Sequence, residues 1–184
     1  MSIDKLNTKK VTLITGGARS GKSQFALDLA DRYLNDSCGI NARMFIATAQ
    51  AFDAEMADRI RRHQKERKGF ATIEAPVDLA GAIARVPEQT KIVVIDCLTV
   101  WLGNLMHYEK ADQEDAPLIR SFLDAIANPA CDMVIVTNEV GLGLVPHDAM
   151  SRLFRDLAGY INRKTAEIAD DLYLVSCGIP LKLK

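Results

Sequence analysis

An apolar run, Val11-Thr12-Leu13-Ile14-Thr15, breaks into Gly16-Gly17-Ala18-Arg19-Ser20-Gly21-Lys22-Ser23 and continues as the helix-patterned Gln24-Phe25-Ala26-Leu27-Asp28-Leu29-Ala30. A G-x-x-x-x-G-K-S segment between a strand and a helix is a P-loop, and that context is what the motif requires. Glycines let backbone N–H groups wrap phosphate oxygens, while the helix start adds unpaired donors and the positive end of its dipole. Gly16, Gly17, Ala18, Arg19, Ser20, Gly21, Lys22 and Ser23 are therefore assigned to nucleotide binding. In this pattern Lys22 reaches the β- and γ-phosphates as a catalytic group, and Ser23 ligates Mg²⁺. The motif by itself does not separate a kinase from an NTPase or a nucleotidyltransferase.

Further strands are expected at Arg43–Ala47, Lys91–Asp96, Met133–Asn138 and Leu172–Val175. Helices are expected at Lys22–Tyr33, Ala54–Lys68, Leu79–Ala84, Leu98–Met106, Ala116–Ala127 and Ser151–Ala169. Short β-rich runs alternating with helices imply an α/β chain with a mostly parallel sheet covered on both faces, here a RecA-like P-loop NTPase three-layer fold. Ile92-Val93-Val94-Ile95 has no polar alternation, which places that strand centrally. His107–Asp115 and Asn35–Asn41 read as connections, and neither resembles a domain linker. One catalytic domain spanning 1–184, with a polar extension at 1–10, is the expected organisation.

With 184 residues, 48% of them hydrophobic, the chain can bury one substantial core without metal or disulfide staples. A formal net charge of -1 gives no global reason to bind nucleic acid or acidic membranes. Met1–Lys10 is too polar for a signal peptide, and no later run reaches membrane-spanning length, so a cytoplasmic protein without stable membrane insertion is expected. Cys38, Cys97, Cys131 and Cys177 lack paired metal-ligand spacing and read as reduced thiols, mostly structural.

Asp96 follows the apolar strand directly, where a second metal-organising carboxylate emerges beside a P-loop, although strand-end aspartates also cap turns. Asp53 is placed to cap the next helix, on which Met56, Ile60 and His63 share a face by i, i+4, i+7 spacing. Taken alone, a histidine near the end of a basic helix is usually solvated or a partner of the helix dipole. Lys65, Glu66, Arg67 and Lys68 are retained as nucleotide contacts, against the alternative of a solvated charge run.

The ordered set of Thr15–Ser23, Ala47–His63, Asp96-Cys97-Leu98-Thr99-Val100-Trp101-Leu102-Gly103-Asn104-Leu105, Thr137-Asn138-Glu139-Val140-Gly141-Leu142-Gly143-Leu144-Val145-Pro146 and Phe154–Asn162 resembles the bifunctional adenosylcobinamide kinase and adenosylcobinamide-phosphate guanylyltransferase family of cobalamin biosynthesis. The resemblance runs from Val11 almost to Lys184. It implies phosphorylation of adenosylcobinamide by a nucleoside triphosphate, ATP or GTP, followed by GMP transfer from GTP to adenosylcobinamide phosphate. It also implies a homotrimer.

Within the Glu-Met-x-x-Arg-Ile-x-x-His pattern, the resemblance makes His63 the residue that is transiently guanylylated. An unprotonated imidazole suits attack on the α-phosphorus with loss of pyrophosphate. The resemblance likewise places Ala47, Thr48, Ala49 and Asp96 at the nucleotide and Glu74 at the guanine, whose N1–H and exocyclic amine a carboxylate can accept. Glu139 emerges from another buried strand, either facing the cleft or holding a turn. His107 and His147 have no partner by spacing, and Trp101 falls in an apolar helical pattern suited to core packing. A P-loop kinase for another small metabolite and a nucleotide-dependent regulatory ATPase are the alternative readings.

Overall fold

A computed structural model describes residues 9–32 and 42–184. Most of the polar 1–10 segment, the Asn35–Asn41 connection, Cys38 and the Tyr33 end expected for the first helix lie outside the described residues. The elements in chain order are β1 (Val11–Thr15), α1 (Lys22–Asp31), β2 (Arg43–Ala47), α2 (Ala54–Glu66), β3 (Ala71–Glu74), α3 (Leu79–Ala84), β4 (Ile92–Asp96), α4 (Leu98–Tyr108), α5 (Pro117–Ala127), β5 (Asp132–Val136), α6 (Ala149–Ile168), β6 (Asp171–Ser176) and β7 (Ile179–Lys182). The seven strands form one sheet in the order β3-β2-β4-β5-β1-β6-β7. All pairings are parallel except β6 with β7.

The apolar runs explain the layering. Successive strand residues point to opposite faces, so a strand covered on both sides has no polar position to spare. Ile92, Val93, Val94 and Ile95 are all fully buried. Val93 and Ile95 join Leu13, Met133 and Ile135 in a core roofed by α3, α4, α5 and α6. Ile92 and Val94 join Ile14, Phe45, Val134 and Val136 on the other face, under Ala26, Leu27 and Ala30 of α1. These layers, with β5 between β1 and the strand carrying Asp96, form the RecA-like P-loop architecture. Among the described residues no helix is long and apolar enough to cross a membrane.

Trp101 is wholly buried, its ring centroid 5.1 Å from that of Phe122 and its Nε1 donating to Val77 O at 2.6 Å. It is a core residue, and truncating such a ring costs about 3–5 kcal/mol. In contrast, α2 adds none of its described residues to either core. None of its described side chains is buried, and it is held at its start by Asp53, whose carboxylate accepts from Met56 N at 2.7 Å.

The elements depart from the sequence expectation at several points: β5 ends at Val136 and α2 at Glu66, each two residues early. β3 and β7 add one strand at each edge of the sheet. The expected loop at His107–Asp115 begins later, because His107 and Tyr108 complete α4, where their rings pack edge to face at 4.7 Å.

Candidate functional site

The register of the sheet sets the candidate residues in a row. Ala47 ends β2 opposite Glu74 of β3 on one side and Asp96 of β4 on the other; Asp96 faces Val136 of β5, which faces Ile14 of β1. Parallel strands bring their C-terminal ends, and the loops that follow, to one edge. At about 4.8 Å between strands, Asp96 stands about 10 Å from the strand of Glu74 and about 10 Å from that of the P-loop.

The P-loop spans Gly16–Ser23 between β1 and α1. Gly16 has φ 149° and Gly21 φ 97°, conformations that glycine adopts without strain, and Arg19 also sits at positive φ. The β6–β7 turn props the loop from outside: Gly178 N donates to Ser20 O at 2.9 Å, and a Cβ on Gly16 would fall 2.3 Å from Val175 O. Gly17, Ala18 and Arg19 are exposed, Ser20 and Ser23 half-buried. Lys22 is buried, its Nζ donating to Gly17 O at 2.5 Å and Ser20 Oγ at 3.3 Å. The lysine is thus folded onto the loop's own oxygens, positions that phosphate oxygens compete for.

Beyond β2 and β4 the chain is tied by side chains. Thr48, fully buried, donates its hydroxyl to Cys97 O at 2.9 Å and accepts from Cys97 N at 2.8 Å. Asn104 Nδ2 donates to Thr48 O at 2.8 Å and to Pro76 O at 2.9 Å, so α4 holds the loops after β2 and β3 together. The Asp96–Cys97 peptide bond is cis. Burial, with the Asp96 charge adding to it, pushes the Cys97 thiol up to about 12, which makes it an inert packing group.

Ser23 and half-buried Asp96 offer a hydroxyl and a carboxylate for Mg²⁺. Among the described residues no cluster of three or more His, Cys, Asp or Glu is gathered as a metal cage. One or two protein oxygens supplemented by phosphate oxygens and water is the donor set Mg²⁺ takes, so the residues present fit it.

His63 is half-buried near the end of α2, three residues beyond Ile60. Ile60 lines an open cleft of about 420 Å³ together with Gln50, Phe52, Glu74 and Tyr108. The helix face carrying His63 and the exposed carboxylate of Glu74 thereby border one space. Ala49 lines it too, while Ala47 is buried at the strand end, its carbonyl accepting from Ala75 N at 2.8 Å. Lys65 and Lys68 are exposed; Glu66 is the last residue of α2. Arg67 lays its guanidinium 3.8 Å from the Phe45 ring centroid, a packing contact that the charge run did not disclose.

Glu139 turns back on its own loop, Oε1 accepting from Gly141 N at 2.7 Å, and its backbone N donates to Gly16 O at 3.0 Å. The same loop is fixed by a chain of hydroxyls. Thr99 Oγ1 accepts from Asn138 N and lies 3.3 Å from Thr137 Oγ1, which donates to Asn162 Oδ1 at 2.7 Å; Asn162 Nδ2 returns to Asn138 O at 3.0 Å. His107 and His147 are exposed. Sequence reasoning missed Gln50, Phe52 and Tyr108 of the cleft; the signal, one glutamine and two aromatics flanking helix ends, was too weak to join them.

The family model described as cobinamide kinase / cobinamide phosphate guanyltransferase matches residues 12–183. The chain belongs to this family. It is 35% identical over 185 residues to the bifunctional adenosylcobalamin biosynthesis protein CobU of Escherichia coli (strain K12), covering 94% of this chain and 98% of that protein. It is 37% identical over 173 residues to the bifunctional adenosylcobalamin biosynthesis protein CobP of Pseudomonas aeruginosa, covering 94% and 96%. A solved structure, the P4 protein from bacteriophage phi6 in complex with ADP, is similar at a TM-score of 0.46 and 16% identity, covering 94% of this chain and 54% of that one. That likeness is too slight to bear on function. In this cobinamide kinase / guanyltransferase family member, the P-loop, Asp96, Glu74 and the His63 face of α2 all lie along one sheet edge.

Proposed function

We propose that the chain, acting as one catalytic domain, phosphorylates adenosylcobinamide with ATP or GTP and then transfers GMP from GTP to the adenosylcobinamide phosphate. The products of the second step are adenosylcobinamide-GDP and pyrophosphate. The observation that carries the reading is a complete P-loop sharing a sheet edge with a cleft bordered by Glu74 and the helix face of His63.

In the first reaction the loop's backbone N–H groups hold the phosphate chain. Lys22 leaves Gly17 O to follow the charge that spreads over the transferred phosphoryl oxygens. In the second, an imidazole nitrogen of His63 attacks the α-phosphorus of GTP; a P–N bond forms as the P–O bond to pyrophosphate breaks. The substrate phosphate then attacks the same phosphorus, and the P–N bond breaks to return the histidine. Glu74 accepts from guanine N–H donors and sets the choice of base. Mg²⁺ held by Ser23 and Asp96 neutralises phosphate charge when bound. Lys65, Glu66, Arg67 and Lys68 follow His63 closely enough in sequence to border the same triphosphate. The reading includes a homotrimer working in the cytoplasm, which sedimentation and cell fractionation test.

The decisive experiment incubates the protein with α-labelled GTP. A covalent label that is acid-labile and base-stable is expected on wild type and lost in His63→Ala, while adenosylcobinamide with GTP gives separable phosphorylated and guanylylated products. Equal labelling of His63→Ala, or no adenosylcobinamide-dependent product, overturns the reading and favours a kinase for another metabolite or a regulatory ATPase.

A further inference from the structure

Moving a phosphoryl group onto an alcohol leaves a proton to be taken from the attacking oxygen, and a positioned carboxylate can accept it. Three carboxylates stand along the sheet edge that carries the P-loop: Glu74 ends β3, Asp96 ends β4, and Glu139 lies three residues past the end of β5. Strand order separates them. β3 lies four strands from the P-loop strand β1, roughly 19 Å at about 4.8 Å a step, and β4 lies two strands away. β5 is the immediate neighbour of β1. Asp96, the nearer of the other two, is the carboxylate assigned to Mg²⁺.

The parallel ladder between β1 and β5 runs on past both strands. Thr137 N donates to Ile14 O at 2.9 Å and Glu139 N to Gly16 O at 3.0 Å, so Glu139 is bonded through its backbone to the first residue of the P-loop. Its neighbours in the chain are held as well. Asn138 donates its backbone N–H to Thr99 Oγ1 at 2.8 Å, and its carbonyl accepts from Asn162 Nδ2 at 3.0 Å, so side chains of α4 and α6 fix both groups. Val140 packs against the core beneath those helices. Clamping of this kind on both sides is what holds a reacting group in a productive geometry.

The carboxylate has acceptor capacity to spare. It is half-buried, and Gly141 N, 2.7 Å from Oε1, is its side-chain partner among the described residues. An ionised carboxylate has about four acceptor positions, so one bond leaves room for an incoming hydroxyl. Gly141 to Val145, which follow, are all exposed and leave the approach to the loop open to a bulky alcohol.

We infer that Glu139 is the proton acceptor of the phosphorylation step. The hydroxyl oxygen of the acceptor attacks the γ-phosphorus, and a P–O bond forms there as the bond from phosphorus to the β–γ bridging oxygen breaks. The nucleoside diphosphate leaves with that electron pair, and the hydroxyl proton passes to the Glu139 carboxylate, which releases it to water. The inference rests on the adenosylcobinamide kinase reading and separates the two reactions. GMP transfer has no hydroxyl to deprotonate, because an unprotonated imidazole and then an ionised phosphate make the attacks.

Glu139→Gln and Glu139→Asp test the assignment, with rates taken per ATP-binding site counted by calorimetry, so that a partly folded variant is still read. Glutamine keeps an oxygen for Gly141 N but takes no proton; aspartate keeps the carboxylate and is one methylene short. In Glu139→Gln, kcat for phosphorylation of adenosylcobinamide by ATP is expected to fall about 100-fold with KM within about threefold of wild type, while covalent labelling by α-labelled GTP stays within about twofold. Glu139→Asp is expected to fall only about tenfold in phosphorylation, and it decides alone should Glu139→Gln bind no ATP. Phosphorylation at the wild-type rate in either variant overturns the assignment. So does labelling that falls in step with phosphorylation, or Glu139→Gln outperforming Glu139→Asp, the order expected of a residue that only holds its loop. Should wild type take up no label, the fall in phosphorylation and the order of the two variants still decide. Wild type that binds ATP but makes no adenosylcobinamide phosphate overturns the kinase reading itself.

Discussion

Thr48→Val isolates the contribution of one hydroxyl to the architecture beside Asp96. The side chain is fully buried, and its hydroxyl both donates to Cys97 O and accepts from Cys97 N. Valine fills nearly the same volume and does neither. Cys97 O keeps the hydrogen bond it accepts from Trp101 N at 3.1 Å, so Cys97 N is the group that loses its partner; one buried backbone group left so costs about 1–3 kcal/mol. Thr48→Ser supplies the control: it keeps the hydroxyl and removes one methyl, a loss of about 0.5–1.5 kcal/mol. In a chain of this length 1 kcal/mol moves the melting temperature by about 2–4 °C. Thermal unfolding should therefore put the valine variant roughly 2–12 °C below wild type and the serine variant within about 5 °C. A valine variant that melts at or above the serine variant refutes the claim that the hydroxyl, rather than the packing of its methyl group, clamps β2 to β4.

Gly16→Ala places a Cβ 2.3 Å from Val175 O at φ 149°, so the loop or β6 must shift; overpacking and backbone strain of this kind cost about 2–5 kcal/mol together. The expected result is a lower melting temperature with nucleotide binding weakened at least about tenfold, against Gly17→Ala, whose Cβ meets nothing within 4 Å and should melt like wild type. Asp171 gives a pH signature: burial raises its carboxyl, but hydrogen bonds and charge from Lys10 at 2.5 Å and Lys182 at 2.7 Å outweigh it and hold the carboxyl below the usual aspartate range. A depressed carboxyl stabilises the fold above its unfolded pKa and loses that contribution as pH falls through the folded value. The melting-temperature gap between wild type and Asp171→Asn should therefore narrow as pH falls from about 5 to 3, and a constant gap would count against the ion pairs. Mild alkylation should modify exposed Cys177 and spare Cys97 and Cys131, which burial pushes up to about 12 and about 11; mass spectrometry of the peptides reads the result.

Legibility in the sequence followed the distance over which each feature is assembled. The P-loop is one backbone segment whose glycines, lysine and serine carry their meaning in consecutive positions, and Ile92–Ile95 discloses two-sided burial by itself. β3 was missed as a strand because Ala71–Glu74 is four residues of mixed exposure, too short for a period to show. β7 contains Pro180, which argues against a strand, yet the sheet admits it at the edge where β7 pairs only with β6. α4 runs on to Tyr108, whose ring meets that of Phe52, far away in sequence, past the point where its own polarity suggests a stop.

The site divides in the same way. Asp96 reads as a carboxylate at the end of an apolar run, a feature common to many surface turns, and Glu74 is marked by the family resemblance alone. What makes them neighbours is that β2 pairs with both β3 and β4 in a register setting Ala47 opposite each. That pairing has no local signature, since parallel strands are joined by crossovers and their register is chosen by the packing of whole layers. The cleft goes a step further: Gln50 leaves β2, Glu74 ends β3, Ile60 comes from α2 and Tyr108 from α4. A glycine-rich loop made by one continuous segment can be read residue by residue, whereas a cleft lined from four separate elements exists only once the sheet has placed their ends together.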